Sequence, residues 1–301
     1  MSRLAWVSTL LALGVSGVLA QQPTFHTGVD LVTFGVTVVD KKGHLVTDLT
    51  VDDFEIIEDG HRQSIEYFVR GDATDVEGAT KHLGLMLDTS GSMHEDLKMA
   101  RSAAIKFLNL LPDAEDITLV DFDEEVRTTR YPQRDFARLI ERIRRRKPDG
   151  WTALYDALGV YLDGADQQNG RQILVLYTDG GDTRSALSFS DTLTLLKASD
   201  VTVYAVGLTD HAGSSKNELR MRLQQMAEIT GGQAFFPNRL EDLDDSYAKV
   251  LAEINAQYHL GYGSANLARD GSWRKVDVKI KRPDVRVRTR KGYFAPYQEK
   301  K

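Results

Sequence analysis

Hydrophobic and polar residues alternate near both ends of this 301-residue chain. Val32, Phe34, Val36 and Val38 lie on one face of a predicted strand over residues 29–39, and polar or small residues occupy the other face. Further strands of this kind are predicted at 54–58, 64–69, 258–262, 273–281 and 285–290. Neither end holds enough strands for an independent domain, so we expect the two sets to pair into one β-sandwich.

The middle of the chain has a different pattern, in which short apolar runs alternate with segments of helical periodicity. Strands are predicted at 82–87, 117–122, 172–177, 201–206 and 233–236, and helices at 95–110, 136–145, 153–165, 191–199, 218–229 and 240–254. This order predicts an α/β domain with a doubly wound, mostly parallel, Rossmann-like sheet. The predicted fold is therefore an α/β domain inserted into a β-sandwich that the N- and C-terminal strands form.

The first 20 residues have the features of a secretory signal peptide. A short basic start is followed by an apolar stretch over 4–20, with small residues before Gln21. An uncleaved membrane anchor is the competing interpretation, although the stretch is short for a bilayer span. The predicted organisation is a signal peptide (1–20), an N-terminal β segment (21–80), the α/β domain (81–256), C-terminal β strands (257–297) and a tail (298–301). We expect a secreted or periplasmic protein with no membrane span after cleavage.

Charge is distributed unevenly along the chain. The total is 38 basic and 44 acidic residues, a formal net charge of −6, which argues against a nucleic-acid partner. Residues 21–80 hold 4 basic and 12 acidic side chains, whereas residues 258–301 hold 12 and 4. These opposite charges favour pairing of the two β segments, although two independent surfaces would have the same composition. A basic run at 142–147 ends a predicted helix, where cations complement the helix dipole.

The chain contains no cysteine, so disulfides, thiolate metal ligands and a cysteine nucleophile are excluded. Any metal must therefore bind to oxygen or histidine. Asp88, Ser90 and Ser92 supply three oxygen side chains at alternate positions, directly after the strand predicted at 82–87. Gly91 allows a tight turn between the serines. Such a set of oxygens suits Mg²⁺ or Mn²⁺, and less commonly Ca²⁺.

Two further polar residues belong to the same predicted edge of the sheet. Thr152 stands at the start of the helix predicted at 153–165, and Asp179 follows the strand predicted at 172–177. Ligands of open α/β sheets bind at the carboxyl ends of the strands, where these residues lie. Asp123 and Asp182 also fall near this edge, and we interpret them as ordinary strand-end and loop carboxylates.

These three motifs, in this order, resemble the von Willebrand factor A domain and its metal-ion-dependent adhesion site. The resemblance covers the middle of the chain. The flanking segments from Thr47 to Gly60 and from Arg290 to Phe294 are similar to the secreted "VWFA-related" proteins of acidobacteria. The resemblance implies that Ser90 and Ser92 bind a metal directly, that Thr152 is a direct or switchable ligand, and that Asp88 and Asp179 hold metal-bound waters. It further implies Mg²⁺ as the cofactor, with Mn²⁺ or Ca²⁺ as alternatives, and a protein partner that offers an Asp or Glu carboxylate.

One residue departs from the pattern of that family. Members often have glycine immediately before the threonine, whereas Trp151 occupies that position here. The indole could shape the choice of partner or pack on the neighbouring loop, and we expect packing.

Other functions need to be weighed against adhesion. The chain could be a structural subunit of a cell-envelope assembly with an architectural metal. An aspartyl-phosphate phosphatase would need a second carboxylate two positions after Asp88, where Ser90 stands. A serine hydrolase would need a different sequence around its serine and a histidine base, and only His94 is local. We therefore predict a non-enzymatic binding module.

Overall fold

The computed structural model describes residues 31–70, 80–109, 114–168, 170–211 and 213–298, and the predicted signal peptide lies outside these ranges. Its helices are α1 (Leu97–Asn109), α2 (Phe136–Arg145), α3 (Leu154–Asp166), α4 (Phe189–Ala198), α5 (Lys216–Ile229) and α6 (Leu240–Ala256). Its strands are β1 (Leu31–Asp40), β2 (Phe54–Glu58), β3 (His61–Gln63), β4 (Tyr67–Val69), β5 (Lys81–Asp88), β6 (Asp116–Phe122), β7 (Val126–Pro132), β8 (Arg171–Thr178), β9 (Thr202–Gly207), β10 (Gln233–Phe235), β11 (Tyr258–Gly263), β12 (Trp273–Ile280), β13 (Val285–Arg288) and β14 (Gly292–Phe294).

The N- and C-terminal strands pair with each other, which confirms the predicted β-sandwich. One antiparallel sheet has the order β13-β1-β11-β4, and the other has the order β14-β12-β2-β3. Phe34 of β1 lies opposite Leu260 of β11, and Ile56 of β2 lies opposite Val278 of β12. The apolar faces of the two sheets form one core, in which Phe34, Ile56 and Leu260 are buried.

The strand predicted at 64–69 is wrong in its extent. Residues His61–Gln63 form β3, which pairs with β2, whereas Tyr67–Val69 form β4, which pairs with β11 in the other sheet. The chain crosses from one sheet to the other between these short strands. A change of sheet leaves no mark in the alternation of residues, because both strands bury one face in the same core.

The α/β domain has a six-stranded sheet of order β10-β9-β8-β5-β6-β7, parallel except for β7 at one edge. Every residue of β8 is buried, because helices cover both faces of the sheet. Helices α1, α2 and α6 contribute to the core on one face, and α3, α4 and α5 contribute to the core on the other. The chain proceeds from β5 to β6 on one side, and β8 lies on the other side of β5. The carboxyl ends of β5 and β8 therefore flank the topological switch point of the sheet.

The opposite charges of the two β segments pair only in part. Arg282 forms two hydrogen bonds with the Asp48 carboxylate, at 2.7 and 3.1 Å. Arg290 instead pairs with Asp200 of the α/β domain, and Arg288 lies 2.5 Å from the Glu253 carboxylate of α6. The basic C-terminal segment thus joins the sandwich to the α/β domain as well as to the acidic N-terminal segment.

The basic run at the end of α2 has a more specific partner than the helix dipole. Arg142 and Arg146 lie 2.8 and 2.5 Å from the carboxylate of Asp121, which is fully buried at the end of β6. Arg127 of β7 contacts the same carboxylate at 2.9 Å. Arg142 and Arg146 therefore form ion pairs with a buried carboxylate, beyond the interaction with the helix dipole that the sequence predicts. None of the helices in the described part of the chain has the length and hydrophobicity that a bilayer crossing requires.

Candidate functional site

The loop that follows β5 is held between two neighbouring loops by backbone hydrogen bonds. The Thr89 amide donates to the Phe122 carbonyl at 2.7 Å, and the Thr89 carbonyl accepts from the Asp149 amide at 3.0 Å. The Gly91 amide donates to the Gly150 carbonyl at 3.0 Å. These bonds fix the loop at the carboxyl edge of the sheet, beside the switch point.

Asp88 is the last residue of β5, and its side chain is fully buried. Its Oδ1 accepts hydrogen bonds from the Ser90 amide at 2.9 Å and from the Ser90 hydroxyl at 2.6 Å. Its Oδ2 accepts from the Thr178 hydroxyl at 2.6 Å. Burial, together with the negative charge of Asp179, raises the pKa of Asp88 to about 7, although the hydrogen bonds from Ser90 and Thr178 oppose this shift. The hydrogen bonds from Ser90 and Thr178 hold the carboxyl group of Asp88 in place, and Asp88 in turn fixes the position of the Ser90 hydroxyl.

The two serine hydroxyls lie next to each other. Ser90 Oγ and Ser92 Oγ are 3.1 Å apart. Neighbouring ligands of an octahedral Mg²⁺ ion, with metal–oxygen distances of about 2.1 Å, are separated by about 3.0 Å. The spacing of the two hydroxyls therefore fits two adjacent positions around one small divalent cation.

Thr152 is held beside this loop from the other side. It is 4% exposed, and its amide donates to the Thr183 hydroxyl at 3.0 Å. Its carbonyl accepts from the amides of Thr183 and Arg184 at 2.9 and 3.0 Å. The Gly150 carbonyl accepts a hydrogen bond from the Gly91 amide. The segment from Gly150 to Thr152 therefore connects the loop after β5 with the loop after β8.

Asp179 begins the loop after β8. Its Oδ1 accepts from the Gly181 amide at 2.7 Å, and its charge acts on the pKa of Asp88. The structure thus brings Asp88, Ser90 and Ser92 into direct hydrogen-bond contact. It places Asp179 within electrostatic range of them and Thr152 on an adjoining loop.

The two other carboxylates near this edge form hydrogen bonds with neighbouring groups of the protein. Asp182 accepts hydrogen bonds from the Tyr155 amide at 3.1 Å and from the Ser185 hydroxyl at 2.6 Å, at the beginning of α3. Asp123 is bound by the Arg127 guanidinium. In the described ranges of the chain, no group of three or more His, Cys, Asp or Glu side chains is arranged to hold a metal. The loop after β5 supplies hydroxyl oxygens, and hard divalent cations such as Mg²⁺ bind oxygen ligands.

Two features of the site differ from the sequence interpretation. Thr178 was not among the candidates, yet its hydroxyl fixes Asp88 and also accepts from the Gly180 amide at 3.0 Å. The signal for Thr178 was a polar residue at the end of an otherwise apolar strand, directly before Asp179. Trp151 is 63% exposed, so the expectation that its indole packs on the neighbouring loop is wrong.

The α/β domain is similar to a known protein family. The family model of the von Willebrand factor type A domain matches residues 82–249, more than half of the chain. No curated protein matches the sequence.

Three solved structures are similar to this chain. The PilB minor pilin from Streptococcus sanguinis is 16% identical with a TM-score of 0.46, over 61% of this chain and 64% of the pilin. A von Willebrand factor type A protein from Catenulispora acidiphila is 15% identical with a TM-score of 0.47, over 91% of this chain and 76% of that protein. The pilus adhesin SpaC from Lactobacillus rhamnosus GG, in its open conformation, is 11% identical with a TM-score of 0.49, over 81% of this chain and 48% of the adhesin.

Proposed function

Because the chain belongs to the von Willebrand factor type A domain family, we propose that it is a non-enzymatic protein-binding or adhesion module. It captures an acidic residue of a partner protein through a divalent metal ion. The observation that carries the proposal is the 3.1 Å separation of Ser90 Oγ and Ser92 Oγ, with Ser90 fixed by the buried Asp88. The proposed metal centre comprises Asp88, Ser90, Ser92, Thr152 and Asp179.

The chemistry of these side chains favours an acidic partner. Ser90, Ser92 and Thr152 would supply neutral hydroxyl oxygens, and the Asp88 and Asp179 carboxylates would orient bound waters. A divalent ion held mainly by neutral oxygens keeps most of its positive charge, so it favours an additional anionic ligand. An Asp or Glu of the partner supplies that oxygen. Mg²⁺ suits this set of ligands best, with Mn²⁺ and Ca²⁺ as alternatives to be compared.

Trp151 offers a contact surface beside this centre. Its side chain is 63% exposed and directly precedes Thr152. Exposed tryptophan residues contribute strongly to binding when a partner covers them, because a large apolar surface is removed from water. We therefore assign Trp151 to the partner interface. Its indole would contact the surface of the partner around the acidic residue and so favour some partners over others.

A hydrolase is the weaker candidate because the Ser90 hydroxyl donates to the Asp88 carboxylate instead of a histidine base. The local histidine, His94, has a side chain that is 77% exposed and lies 3.8 Å from Glu95. A structural role in an envelope assembly, with an architectural metal, is the second candidate, and the effect of a chelator on partner binding distinguishes it from adhesion.

We place the mature protein outside the cytoplasm, and N-terminal sequencing of the exported protein should begin at Gln21.

The first experiment measures Mg²⁺ binding by isothermal titration calorimetry. Ser92→Ala should weaken Mg²⁺ binding at least tenfold, since one of two adjacent ligands is lost. Ser102→Ala is the matched control, because the Ser102 hydroxyl donates to the Lys98 carbonyl on the exposed side of α1. Equal Mg²⁺ affinity in the two variants would contradict the assignment of Ser92 as a ligand.

The second experiment is affinity capture from the envelope and secreted fractions of the source organism. Adhesion predicts a partner that binds with Mg²⁺, is released by EDTA and binds again when Mg²⁺ is restored. Ser92→Ala should lose this partner and Ser102→Ala should keep it. Trp151→Ala should weaken partner binding about tenfold while Mg²⁺ affinity is unchanged. Capture that persists in EDTA would favour an architectural metal.

A further inference from the structure

A cavity of about 490 Å³ lies at the amino edge of the six-stranded sheet, where β8 and β9 begin and residues of β1 and β11 complete the wall. This volume falls in the range of pockets that hold small organic molecules. Leu31 and Phe34 of β1 and Ile173 of β8 give the cavity apolar walls. The proposed metal centre lies at the opposite end of the same sheet, so the two sites are separate.

Two polar side chains in the cavity wall have buried atoms without partners. Gln257 is only 2% exposed, and its Nε2 has no hydrogen-bond partner among the described residues. The buried Nε2 of His259, which also lines the cavity, has none there either. The two residues are two positions apart in extended chain, so their side chains leave it on the same face. Because buried donors and acceptors are nearly always paired in folded proteins, this pair indicates a ligand that bonds to both.

The position of the Gln257 amide depends on a glycine in the opposing strand. A Cβ atom at Gly35 would lie 2.8 Å from Cδ and 2.9 Å from Nε2 of Gln257, which is too close for any real side chain. Gly35 also lines the cavity. The missing side chain in β1 therefore leaves the space in which the amide lies against the cavity.

The unpaired atoms of Gln257 and His259 belong to uncharged groups. The Gln257 amide nitrogen is a hydrogen-bond donor and needs an acceptor. Burial, followed by the charges of Arg171 and Lys81, holds the pKa of His259 well below its usual value, so the imidazole is neutral. A neutral imidazole has one donor and one acceptor nitrogen. A hydroxyl or an amide, which both accepts and donates, therefore complements the two side chains.

The arginine side chains in the wall are held by groups of the protein. Arg290 donates to the Asp200 carboxylate and, through Nη2, to the Thr33 carbonyl at 2.7 Å. Nη2 of Arg171 donates to the Ile254 carbonyl of α6 at 2.7 Å. These contacts fix both guanidinium groups, and we assign the polar head of the ligand to the amide and the imidazole.

We infer that this cavity binds a small molecule with an apolar body and a hydroxyl or amide head. The head pairs with the Gln257 amide and the His259 imidazole, and the body lies against Phe34 and Ile173. Such a molecule satisfies the two unpaired groups and also removes the apolar walls from water. Water molecules would pair with the polar atoms but would leave the apolar walls in contact with solvent.

The test uses three probes of similar shape that differ in the head group, titrated into the full chain and followed by calorimetry. Benzamide, which has both a donor and an acceptor, should bind at one site per chain. Toluene has no polar head and protonated benzylamine has no acceptor, so both should bind at least tenfold more weakly. Toluene or benzylamine that binds as tightly as benzamide would overturn the inference. Absence of benzamide binding at millimolar concentration would also overturn it and leave a cavity that holds only water.

Two variants locate the binding site. Gln257→Leu should weaken benzamide binding about tenfold and leave toluene binding nearly unchanged, because only a donor to the polar head is lost. Leu31→Ser should weaken benzamide binding severalfold, because apolar surface is removed from the wall. Leu31 is 41% exposed, so this variant tests the inference even if Gln257→Leu does not fold. Leu267→Ser, at an 85% exposed position, is the control, and benzamide affinities that are equal in all these proteins would contradict binding in this cavity.

Discussion

The Tyr262 hydroxyl donates a 2.7 Å hydrogen bond to the Glu58 carboxylate, across 204 residues of sequence and between the two sheets of the sandwich. Glu58 is 2% exposed. Its carboxylate also accepts from the Tyr293 hydroxyl at 2.9 Å and from the Ser264 hydroxyl at 2.6 Å. A single N-terminal carboxylate thus pairs with three hydroxyls of the C-terminal segment. This network joins the two ends of the chain inside the sandwich.

Replacing Tyr262 with phenylalanine should destabilise the sandwich, because the ring is kept but one of the three donors to Glu58 is lost. We expect the free energy of unfolding to fall by about 1.5–3 kcal/mol, the range for a hydrogen bond to a charged group. Denaturant unfolding followed by circular dichroism measures the change. Tyr297→Phe, at a 74% exposed position, is the control. Equal stability of the two variants would show that the network contributes nothing.

Elements with a strong local pattern were predicted closely from the sequence, and those that depend on distant partners were not. Helix α2 was predicted with its observed bounds. Strand β7 was missed, because it lies at the edge of the sheet and alternates weakly, with only Tyr131 buried. The division of 61–69 into β3 and β4 depends on which sheet each short strand joins, and no local pattern records this.

The sequence motifs nominate candidate residues but do not record their environment. Asp88, Ser90, Ser92, Thr152 and Asp179 are candidates because each follows or precedes a regular element at one edge of the sheet. The contact from Thr178 to Asp88 spans 90 residues, so only the pairing of β5 with β8 reveals it. The exposure of Trp151 likewise depends on the position of neighbouring loops and not on its own sequence context.

Two glycine-to-alanine changes near α3 should have opposite effects on stability. A Cβ at Gly84 of β5 would lie 2.3 Å from ring atoms of Tyr161, whereas a Cβ at Gly164 of α3 would have no neighbour within 4 Å. Gly84→Ala should therefore lower the free energy of unfolding by about 1–3 kcal/mol through overpacking. Gly164→Ala should raise it by about 0.5–1 kcal/mol, since alanine favours a helix. Thermal unfolding of both variants measures the difference, and a shift of the same sign in both would contradict the packing of Tyr161 against Gly84.

Neutralising Asp121 should destabilise the α/β domain strongly. Its buried carboxylate is shared by Arg127, Arg142 and Arg146. Asp121→Asn leaves three partly buried guanidinium groups without that charge. Removal of one partner from a buried ion pair lowers the free energy of unfolding by about 3–5 kcal/mol. Glu141→Gln is the matched control, because its partner Arg145 lies on the surface and such pairs contribute about 0.5 kcal/mol. Chemical denaturation distinguishes the two, and a loss below about 1 kcal/mol in Asp121→Asn would show that solvent already screens the cluster.

The contribution of His259 to the stability of the protein should fall as the pH is lowered from 7.5 to 5.5. Burial, followed by the charges of Arg171 and Lys81, holds the pKa of this ring well below 6.5 in the folded state. The unfolded chain binds a proton near pH 6.5 and the folded chain does not. The contribution of His259 is therefore fully present above pH 6.5 and is lost as the pH falls below it, by about 1.4 kcal/mol per pH unit.

His259→Gln should remove this loss, so on going from pH 6.5 to 5.5 its free energy of unfolding should shift in the stabilising direction by about 1 kcal/mol relative to that of the unmodified protein. The pKa of His211 is raised by its hydrogen bond with Asp96, and its effect on stability has the opposite sign. Asp88, with its pKa raised to about 7, acts in the same direction as His211. Because both proteins keep His211 and Asp88, the contributions of these two residues cancel in the comparison. His44→Gln, at an exposed position, should keep the original dependence. If His259→Gln loses stability with falling pH as steeply as His44→Gln, the buried ring already takes up a proton in the folded state.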